Sequence, residues 1–336
     1  MPRHRGGMLV ALLLAVVVIA GAAAAWSWHE WRRPLLRSGE RIEVRVTAGM
    51  SARTVARQLV AAGVGVRQAS FVAAAELSGA TRRLRAGRYA VEGGMSLADL
   101  IGKLQRGDVL HERFTLVEGW TVRDLRAALA ADADLRHDSA SLAEDELLQR
   151  IGASEGHAEG LFAPDTYLFD PGTSDLQVLR EAYRAQGDRL QQAWQRRASG
   201  LPFEGPYQAL IMASVVEKET GQADDRRRIA GVLANRVRLG MPLQSDPTVI
   251  YGLGDRYDGT LHRRDLVADT PYNTYVHAGL PPTPIAAPGR AAIEATLNPE
   301  VTRAMYFVSR GDGTTEFSET LAEHNRAVDR YQRGMP

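Results

Sequence analysis

The chain has 336 residues, with 41 Lys and Arg against 40 Asp and Glu, a formal net charge of +1 and no cysteine. This length allows two domains with separate cores, and the balanced charge argues against a nucleic-acid partner. The lack of cysteine excludes disulfides, thiol nucleophiles and zinc sites ligated by cysteine.

The first predicted element is a membrane anchor over residues 8–28. Arg3 and Arg5 precede a run without formal charge that continues to Trp28. Its apolar part is about as long as the roughly 20 residues that cross a bilayer, and Trp26 and Trp28 suit the interface between membrane and water. The sequence therefore predicts a single-pass transmembrane helix.

The charges that flank this anchor predict its orientation. Residues 1–7 carry two arginines and are expected to stay in the cytoplasm by the positive-inside rule. The linker at 29–41 and all later residues are then expected in the periplasm, with the anchor in the inner (plasma) membrane. A cleaved signal peptide is the alternative, because Ala22-Ala23-Ala24 offers small residues, although the apolar run is longer than is usual for one.

Residues 42–107 are predicted to form a small α+β module. Ile42, Val44 and Val46 alternate with charged residues, which is typical of a half-buried strand. The elements predicted after this strand are a helix to about Ala62, a helix near Ser70–Leu77, a strand over Gly87–Val91 and a helix to Leu104. This order resembles a LysM-like module, which implies glycan binding, and a plain spacer domain fits the order nearly as well.

A turn that begins a helix occurs three times, at 49–51, 94–96 and 119–121. Each copy is a Gly followed two residues later by Ser or Thr, and Ser51 is a plausible N-cap. An Asp stands three residues after Ser96 and three residues after Thr121, which is typical of a capping box. The sequence therefore predicts a helix start at each turn.

The segment from Glu159 to Tyr167 opens the C-terminal half. It reads Glu-Gly-Leu-Phe-Ala-Pro-Asp-Thr-Tyr. Taken alone, it is predicted to be a turn with a buried aromatic residue, and no chemistry is assigned to it.

A helix is predicted from about Tyr207 to Thr220. Apolar residues cover most of its circumference and predict a buried helix: Leu210, Ile211, Met212, Val215 and Val216. Glu217 and Glu219 lie in its last turn and point in different directions, because they are two residues apart. Glu219 continues the apolar stripe, where a carboxyl group has a raised pKa, as a general acid at neutral pH requires. Two solvated charges at a helix end are the alternative.

The stretch from Met241 to Gly289 is rich in Pro, Gly, Asn, Thr and Tyr and has little periodicity. A loop-rich stretch of this length in a compact domain is more often functional than idle. Tyr rings and the amides of Asn and Gln are what a sugar site uses. The sequence therefore predicts a long loop-rich substrate groove, and an ordinary irregular segment is the alternative.

The C-terminal segment is predicted to be a β-hairpin followed by a helix. Residues 304–309 have the composition of a strand, Gly311-Asp312-Gly313 is a hairpin turn signal, and 315–318 is the return strand. His324 and Asn325 fall on the last helix. They are interpreted either as polar groups at the edge of the groove or, more simply, as a packing or capping pair.

Four motifs occur in this order along the chain. They are Val-Glu-Lys-Glu-Thr at 216–220, Leu-Gln-Ser-Asp-Pro-Thr-Val-Ile-Tyr-Gly at 243–252, Tyr-Asn-Thr-Tyr at 272–275 and Gly-Leu-Pro-Pro at 279–282. Together they closely resemble the YceG-like family of endolytic murein transglycosylases. The resemblance extends over essentially the whole chain and implies an α+β fold, with a catalytic domain at 108–336.

The resemblance implies a membrane-anchored lytic transglycosylase, an enzyme without cofactor or metal. Such enzymes cut the β-1,4 bond between N-acetylmuramic acid and N-acetylglucosamine within peptidoglycan glycan strands. They leave 1,6-anhydro-muramic ends and are thought to terminate nascent strands. The resemblance also implies association with peptidoglycan synthases.

The resemblance assigns the catalytic role to the second Glu of Glu-Lys-Glu-Thr, which is Glu219, in agreement with the helix argument. Asp246 is the best candidate for a second carboxylate if water were the nucleophile. Many relatives in the family carry Asn-Pro-Gly where this chain has Ala287-Pro-Gly, so an amide contact there cannot be carried over. The residues that match the family motifs and are expected to bind substrate in the groove are Gln244, Asp246, Thr248, Tyr251, Tyr272, Asn273, Thr274 and Tyr275.

Two other functions compete with this interpretation. A metal-dependent hydrolase would draw its ligands from His262, His277 and His324 together with Asp246, Asp258 or Asp265, although no metal-binding spacing is present. A non-enzymatic scaffold of the wall-synthesis machinery would bind peptidoglycan without cutting it. The scaffold hypothesis predicts that Glu219→Gln leaves function intact.

Overall fold

The computed structural model describes residues 5–47, 49–219 and 222–334. The chain divides into two compact units: residues 1–112 with 169–171, and residues 113–168 with 172–336. Helices and short two-stranded sheets occur in both, in agreement with the predicted α+β class. The finer division of the chain into domains stays a prediction.

The first unit begins with α1, a helix from Arg5 to Arg32. Within the part of the chain that the structure describes, no helix meets the length and apolarity needed to cross a membrane. The side chains of residues 8–13 and of several later positions in α1 lie outside the described residues. The anchor predicted at 8–28 is therefore not confirmed, and most of the predicted cytoplasmic segment 1–7 also lies outside them.

The small α+β module has the predicted strands and helices, with ends that differ by a few residues. Its elements are β1 (Arg41–Val46), α2 (Ala52–Ala61), α3 (Gln68–Leu77), β2 (Gly87–Glu92) and α4 (Leu97–Arg106). The two strands pair antiparallel, with Val44 opposite Tyr89. One core gathers the inward faces of these elements, and its largest fully buried side chains include Phe71, Tyr89 and Leu100. The likeness to LysM modules stays a prediction.

The remaining elements are four short strands and most of the helices. In chain order they are β3 (Glu112–Leu116), α5 (Val122–Ala131), α6 (Glu144–Ile151), β4 (Asp165–Phe169), α7 (Asp175–Gln195), α8 (Pro206–Glu219), α9 (Ala223–Arg238), α10 (Asp246–Leu253), α11 (Arg263–Leu266), α12 (Arg290–Leu297), β5 (Tyr306–Ser309), β6 (Thr315–Ser318) and α13 (Leu321–Gln332). Strand β3 pairs with β4, and β5 pairs with β6.

The predicted capping boxes are present at the starts of two helices. At α4 the Ser96 hydroxyl accepts the Asp99 amide and the Asp99 carboxylate accepts the Ser96 amide. Thr121 and Asp124 make the same exchange at α5. Each pair satisfies amides that an open helix end would leave without partners, so the sequence fixes where these helices begin.

Helix α8 is the buried helix that the sequence predicts. Every residue from Ala209 to Val216 is buried. The helix packs against α7, α9, α10 and α12, so apolar side chains are required on all of its sides. Ser214 is the polar exception, and its hydroxyl donates to the Ile211 carbonyl and accepts the Ile285 amide. The predicted last residue, Thr220, lies outside the described residues, and the helix ends at Glu219.

The stretch from 241 to 289 is less irregular than predicted, because Asp246–Leu253 form α10 and Arg263–Leu266 form α11. Pro247 lies in the first turn of α10. There its missing N–H costs no hydrogen bond and its fixed φ suits the helix. At this position proline therefore marks a helix start within a stretch that the sequence predicts to be loop-rich. The rest of the stretch is irregular, as predicted.

The C-terminal hairpin is confirmed. Strands β5 and β6 pair antiparallel, with Phe307 opposite Phe317. The last helix, α13, follows with a capping box between Thr320 and Glu323.

Alanine substitution is expected to have opposite effects on the free energy of unfolding at two mid-helix glycines. A Cβ at Gly231 in α9 would lie 2.5 Å from the Glu300 carbonyl oxygen, whereas one at Gly187 in α7 would meet nothing within 4 Å. We expect Gly231→Ala to lower the free energy of unfolding by about 1–3 kcal/mol and Gly187→Ala to raise it by up to about 1 kcal/mol. Urea unfolding of both variants measures this, and equal shifts would contradict the close approach at Gly231.

Candidate active site

Glu219 lies at the end of α8, and its carboxyl group is enclosed by protein although the residue as a whole is only partly buried. One carboxylate oxygen, Oε1, accepts a hydrogen bond of 2.5 Å from the hydroxyl of Ser245. Burial raises the pKa of Glu219 to about 7, and the nearby charge of Asp246 adds to this, against the hydrogen bond from Ser245 and the charge of Arg236. Near neutral pH this carboxyl group can therefore either donate or accept a proton.

Glu217 points away from Glu219, as its place on the helix predicts. Its Oε2 accepts the amide of Gly289 at 2.9 Å. Gly289 is the N-cap residue of α12, and a Cβ there would lie 1.9 Å from Oε1 of Glu118. Burial raises the pKa of Glu217 also. Its hydrogen bond to a helix start gives it a structural role in joining α8 to α12.

Arg236 of α9 holds the segment that carries Ser245. Its Nη1 donates to the Leu243 carbonyl at 2.8 Å and to Oε1 of Gln244 at 3.3 Å, and its Nε donates to the Met305 carbonyl at 2.7 Å. Gln244 has a φ of 51°, a left-handed conformation that a non-glycine residue adopts only under constraint. Arg236 holds Gln244 through the Leu243 carbonyl and the Gln244 side chain, and the Thr274 carbonyl accepts the Gln244 amide at 3.0 Å. These contacts fix the backbone just before Ser245, the residue that donates to Glu219. Sequence reasoning assigned no role to Arg236.

Asp246 and Tyr275 form a second polar pair beside Glu219. The Tyr275 hydroxyl donates to Oδ1 of Asp246 at 2.6 Å. Asp246 is exposed, and its charge raises the pKa values of both Glu219 and Tyr275, in each case after the larger effect of burial. Four residues therefore make one cluster, called here the acid cluster: Glu219, Ser245, Asp246 and Tyr275.

Three of the residues predicted to contact substrate lie inside the domain with protein partners. Thr248 donates to the Ser245 carbonyl at 2.6 Å and shares a hydrogen bond of 2.8 Å with the Thr274 hydroxyl. Asn273 donates to three backbone carbonyls, among them that of Ala268 at 2.7 Å. All three are buried and hydrogen-bonded within the protein, so they support the segments that carry the acid cluster. Gln244, in contrast, is exposed.

Tyr251 and Tyr272 lie apart from the acid cluster and pack edge-to-face, with ring centroids 4.8 Å apart and planes at 64°. They line two adjoining cavities of about 500 and 570 Å³. Both cavities also contain Glu159, a residue to which sequence reasoning gave no role. We call Glu159, Tyr251 and Tyr272 the tyrosine cluster.

Glu159 is 6% exposed. Its carboxylate accepts the Val122 amide at 3.1 Å and the Tyr251 hydroxyl at 3.1 Å. Burial raises its pKa to about 7. A sequence signal for this residue exists, because Glu159 is the only charged residue within the apolar run from Ala158 to Pro164.

The histidines of the metal alternative each have another partner. His262 and His277 pair with Asp258 and Asp269 at 3.3 and 2.8 Å. His324 stacks on Tyr306, with centroids 5.2 Å apart, which fits the predicted packing role. Among residues 5–47, 49–219 and 222–334, no group of three or more His, Cys, Asp or Glu is arranged to hold a metal ion.

Opposite pKa changes are expected for Glu219 in two variants of its neighbours. Ser245→Ala removes a hydrogen bond that lowers the pKa of Glu219, so the pKa should rise. Asp246→Asn removes a charge that raises it, so the pKa should fall. NMR titration of the Glu219 carboxyl carbon measures both changes against the unsubstituted chain, and changes in the same direction would contradict the arrangement of the acid cluster.

Comparison with known proteins gives one family and a consistent set of relatives. A family model described as the YceG-like family matches residues 44–330. A protein of Bacillus subtilis named endolytic murein transglycosylase is 30% identical over 86% of this chain and 84% of its own length. A Streptococcus pneumoniae protein with the same name is 28% identical over 73% of this chain, which spans about half (50%) of that relative's length.

A solved structure is similar as well. The 2.6 Å crystal structure of a YceG-like protein from Listeria monocytogenes has a TM-score of 0.54 and 29% sequence identity to this chain. The match covers 86% of this chain and 99% of that protein.

Proposed function

The chain belongs to the YceG-like family, and we propose that it is a lytic transglycosylase that cuts peptidoglycan glycan strands internally. The names of the Bacillus and Streptococcus relatives support this activity. The observation that carries the proposal is the carboxyl group of Glu219, which accepts the Ser245 hydroxyl within the acid cluster and whose pKa burial raises to about 7. A carboxyl group of this kind suits a reaction in which one residue acts first as an acid and then as a base.

In the proposed reaction Glu219 begins protonated. It gives its proton to the oxygen of the β-1,4 bond between N-acetylmuramic acid and N-acetylglucosamine as that bond to C1 breaks. The resulting Glu219 carboxylate then accepts the proton of the muramoyl C6 hydroxyl, whose oxygen bonds to C1. The products are a 1,6-anhydro-muramic end and a free sugar hydroxyl, and no water is consumed.

The neighbours of Glu219 support this division of roles. Ordinary glycoside hydrolysis uses two carboxyl groups, one of them to activate water or attack the sugar. Asp246, the nearby candidate for a second carboxylate, already accepts the Tyr275 hydroxyl, and its charge favours the protonated form of Glu219. We infer that Asp246 keeps Glu219 protonated before the reaction, and that Ser245 orients the carboxyl group through its hydrogen bond.

The cellular setting is proposed from the sequence alone. The run without formal charge up to Trp28 supports an anchor in the inner membrane with the catalytic part in the periplasm, where nascent strands and their synthases are found. Cutting there would terminate strand elongation. Fractionation of cells that express the full chain tests the location, and recovery of the intact chain in the soluble fraction would refute it.

Digestion of purified peptidoglycan by the full-length chain tests the activity. Mass spectrometry of the products should find internal fragments whose muramic ends are one water lighter than reducing ends. Reducing ends of full mass would instead indicate a hydrolase, with Asp246 as the second carboxylate. Binding of glycan without any cleavage would favour the scaffold alternative.

A further inference from the structure

Glu159 is a buried ionisable group that the proposed reaction does not use. Its carboxylate receives two donors: the Val122 amide at the start of α5 and the Tyr251 hydroxyl. The ionised form holds both donors more firmly than the protonated form does, because hydrogen bonds to a charged acceptor are stronger. The buried surroundings of Glu159 raise its pKa, and the Val122 amide and the Tyr251 hydroxyl supply hydrogen bonds to its ionised form.

Both tyrosine hydroxyls of the tyrosine cluster are engaged by the protein. Tyr251 donates to Oε2 of Glu159 at 3.1 Å. Tyr272 and the Thr283 hydroxyl are 2.9 Å apart, and Thr283 itself donates to the Pro284 carbonyl. Since Thr283 has only one hydroxyl proton, Tyr272 is the donor in their hydrogen bond. The two rings are held at their far ends and offer aromatic surface, and not their hydroxyl groups, to a ligand.

The cavities on either side of these rings fit a ligand with both apolar and polar surface. Both are lined by Arg123, Glu159, Tyr251 and Tyr272, which stand where the two meet. The larger cavity adds Tyr257 and several apolar side chains, and it also contains Lys218, the residue before Glu219. Aromatic surface with a few polar groups is what a saccharide subsite presents.

We propose that Tyr251 and Tyr272 form a sugar-binding subsite and that Glu159 is its positioning residue, which sets the Tyr251 ring through the hydrogen bond to its hydroxyl. This rests on the proposed function, since the ligand is a sugar ring of the peptidoglycan strand. Glu159 touches Tyr251 and not the reacting atoms. It therefore acts on substrate affinity, whereas Glu219 acts on the rate of bond cleavage.

The protonation state of Glu159 gives this proposal a pH dependence. The charged and titratable groups around it are Arg123, Asp124 and Arg126 of α5, Glu144 of α6, His157, Lys218 of α8, Tyr251, Tyr257 and Tyr272. With a pKa of about 7, Glu159 is ionised at pH 8 and accepts the Tyr251 hydroxyl. At pH 6 it is mostly protonated, so the Tyr251 hydroxyl loses its charged acceptor and the ring is held less firmly. KM is therefore expected to rise as the pH falls from 8 to 6.

Two variants of the full chain test the proposal by the division of effects between KM and kcat. Glu159→Gln imitates the protonated form, and Tyr251→Phe removes only the hydroxyl while keeping the ring. Each is expected to raise KM for glycan cleavage roughly tenfold at pH 8, to change kcat little and to abolish the pH dependence of KM. The double variant should be no worse than Tyr251→Phe alone, because Glu159→Gln weakens the same hydrogen bond that Tyr251→Phe removes.

Glu155→Gln is the matched control. Glu155 accepts the hydroxyl of Tyr183 at 2.9 Å, a similar pair that lines a different cavity. It should leave KM and its pH dependence unchanged. Unchanged KM in Tyr251→Phe, or a fall in kcat with constant KM, would overturn the proposal. Where Glu159→Gln does not fold, as judged by near-ultraviolet circular dichroism, Tyr251→Phe decides.

Binding in the Glu219→Gln background separates this proposal from the proposed function. Calorimetric titration with a tetrasaccharide of alternating N-acetylglucosamine and N-acetylmuramic acid measures affinity without cleavage. Tighter binding at pH 8 than at pH 6, lost on adding Tyr251→Phe, would support the subsite even if the unsubstituted chain cut no peptidoglycan. Equal binding with and without the Tyr251 hydroxyl at both pH values would refute it.

Discussion

Glycan cleavage is expected to fall by at least about 10³-fold in Glu219→Gln, because one side chain acts as both acid and base and each role is typically worth 10²–10⁴-fold. The same substitution is expected to stabilise the fold at pH 8. An enclosed carboxylate is disfavoured relative to its form in the unfolded chain, and a neutral amide has no such penalty. Loss of activity together with gain of stability would mark Glu219 as a functional residue, since substitution of a purely structural residue would lower both activity and stability.

The sign of the stability effect follows from the raised pKa. Folding favours the protonated form of Glu219. The contribution of this group to the free energy of unfolding is therefore fully present below the unfolded pKa of about 4.5, and it is lost as the pH rises through the folded pKa of about 7. Glu219→Gln should therefore be more stable than the unsubstituted chain at pH 8, by on the order of 1–3 kcal/mol, and nearly equal to it at pH 4.5.

Urea unfolding at the two pH values and initial cleavage rates measure these effects. Glu217→Gln is the control on the same helix, because its carboxylate accepts the Gly289 amide and has no proposed role in the reaction. It should keep cleavage within a few-fold of the unsubstituted chain. Retained cleavage in Glu219→Gln, or an equal stability gain at both pH values, would contradict the role given to Glu219.

The second large effect is expected at Arg236. Replacing it by Lys removes the planar group that binds Met305, Leu243 and Gln244 at once, and a single ammonium group cannot reproduce that geometry. Buried carbonyl oxygens lose their donors, which costs about 1–3 kcal/mol for each group left without a partner. We expect a loss of about 2–4 kcal/mol in the free energy of unfolding.

Arg236→Lys should also slow cleavage, because the segment that presents Ser245 to Glu219 loses its support. Arg238→Lys, two residues further along α9, is the control: Arg238 is exposed and donates to Asn235 and Gly200, and it should change stability by less than about 1 kcal/mol. Urea unfolding and cleavage rates at 25 °C, a temperature where both variants fold, provide the measurement. Similar losses in the two variants would refute the special role of Arg236.

The sequence was sufficient to predict α8 and the enclosure of Glu219. The apolar residues of that helix surround it, so the burial of a carboxylate on the same stripe follows from helix geometry alone. Capping boxes at Ser96 and Thr121 were equally predictable, because they depend on residues three positions apart. These are local properties of the chain.

The inward positions of Thr248, Asn273 and Thr274 could not be predicted, because they depend on partners distant in sequence. Thr248 meets Thr274 across 26 positions, and Glu159 meets Tyr251 across 92. A polar residue in a motif has the same sequence pattern whether it faces a ligand or supports the backbone. Only the fold distinguishes a residue that faces a ligand from one that supports the backbone. The fold also places Glu159 and Arg236 beside the predicted site residues, where sequence reasoning had given them no role.

Helix α10 connects the two clusters, with Ser245 at its N-cap and Tyr251 six positions later. An α-helix advances about 1.5 Å and turns about 100° per residue, so these two residues are held about 9 Å apart along the axis and at a set angle. Under the proposed function, α10 therefore sets the distance between the sugar bound at Tyr251 and the glycosidic bond cut at Glu219. This distance is the same wherever along a long glycan strand the enzyme binds.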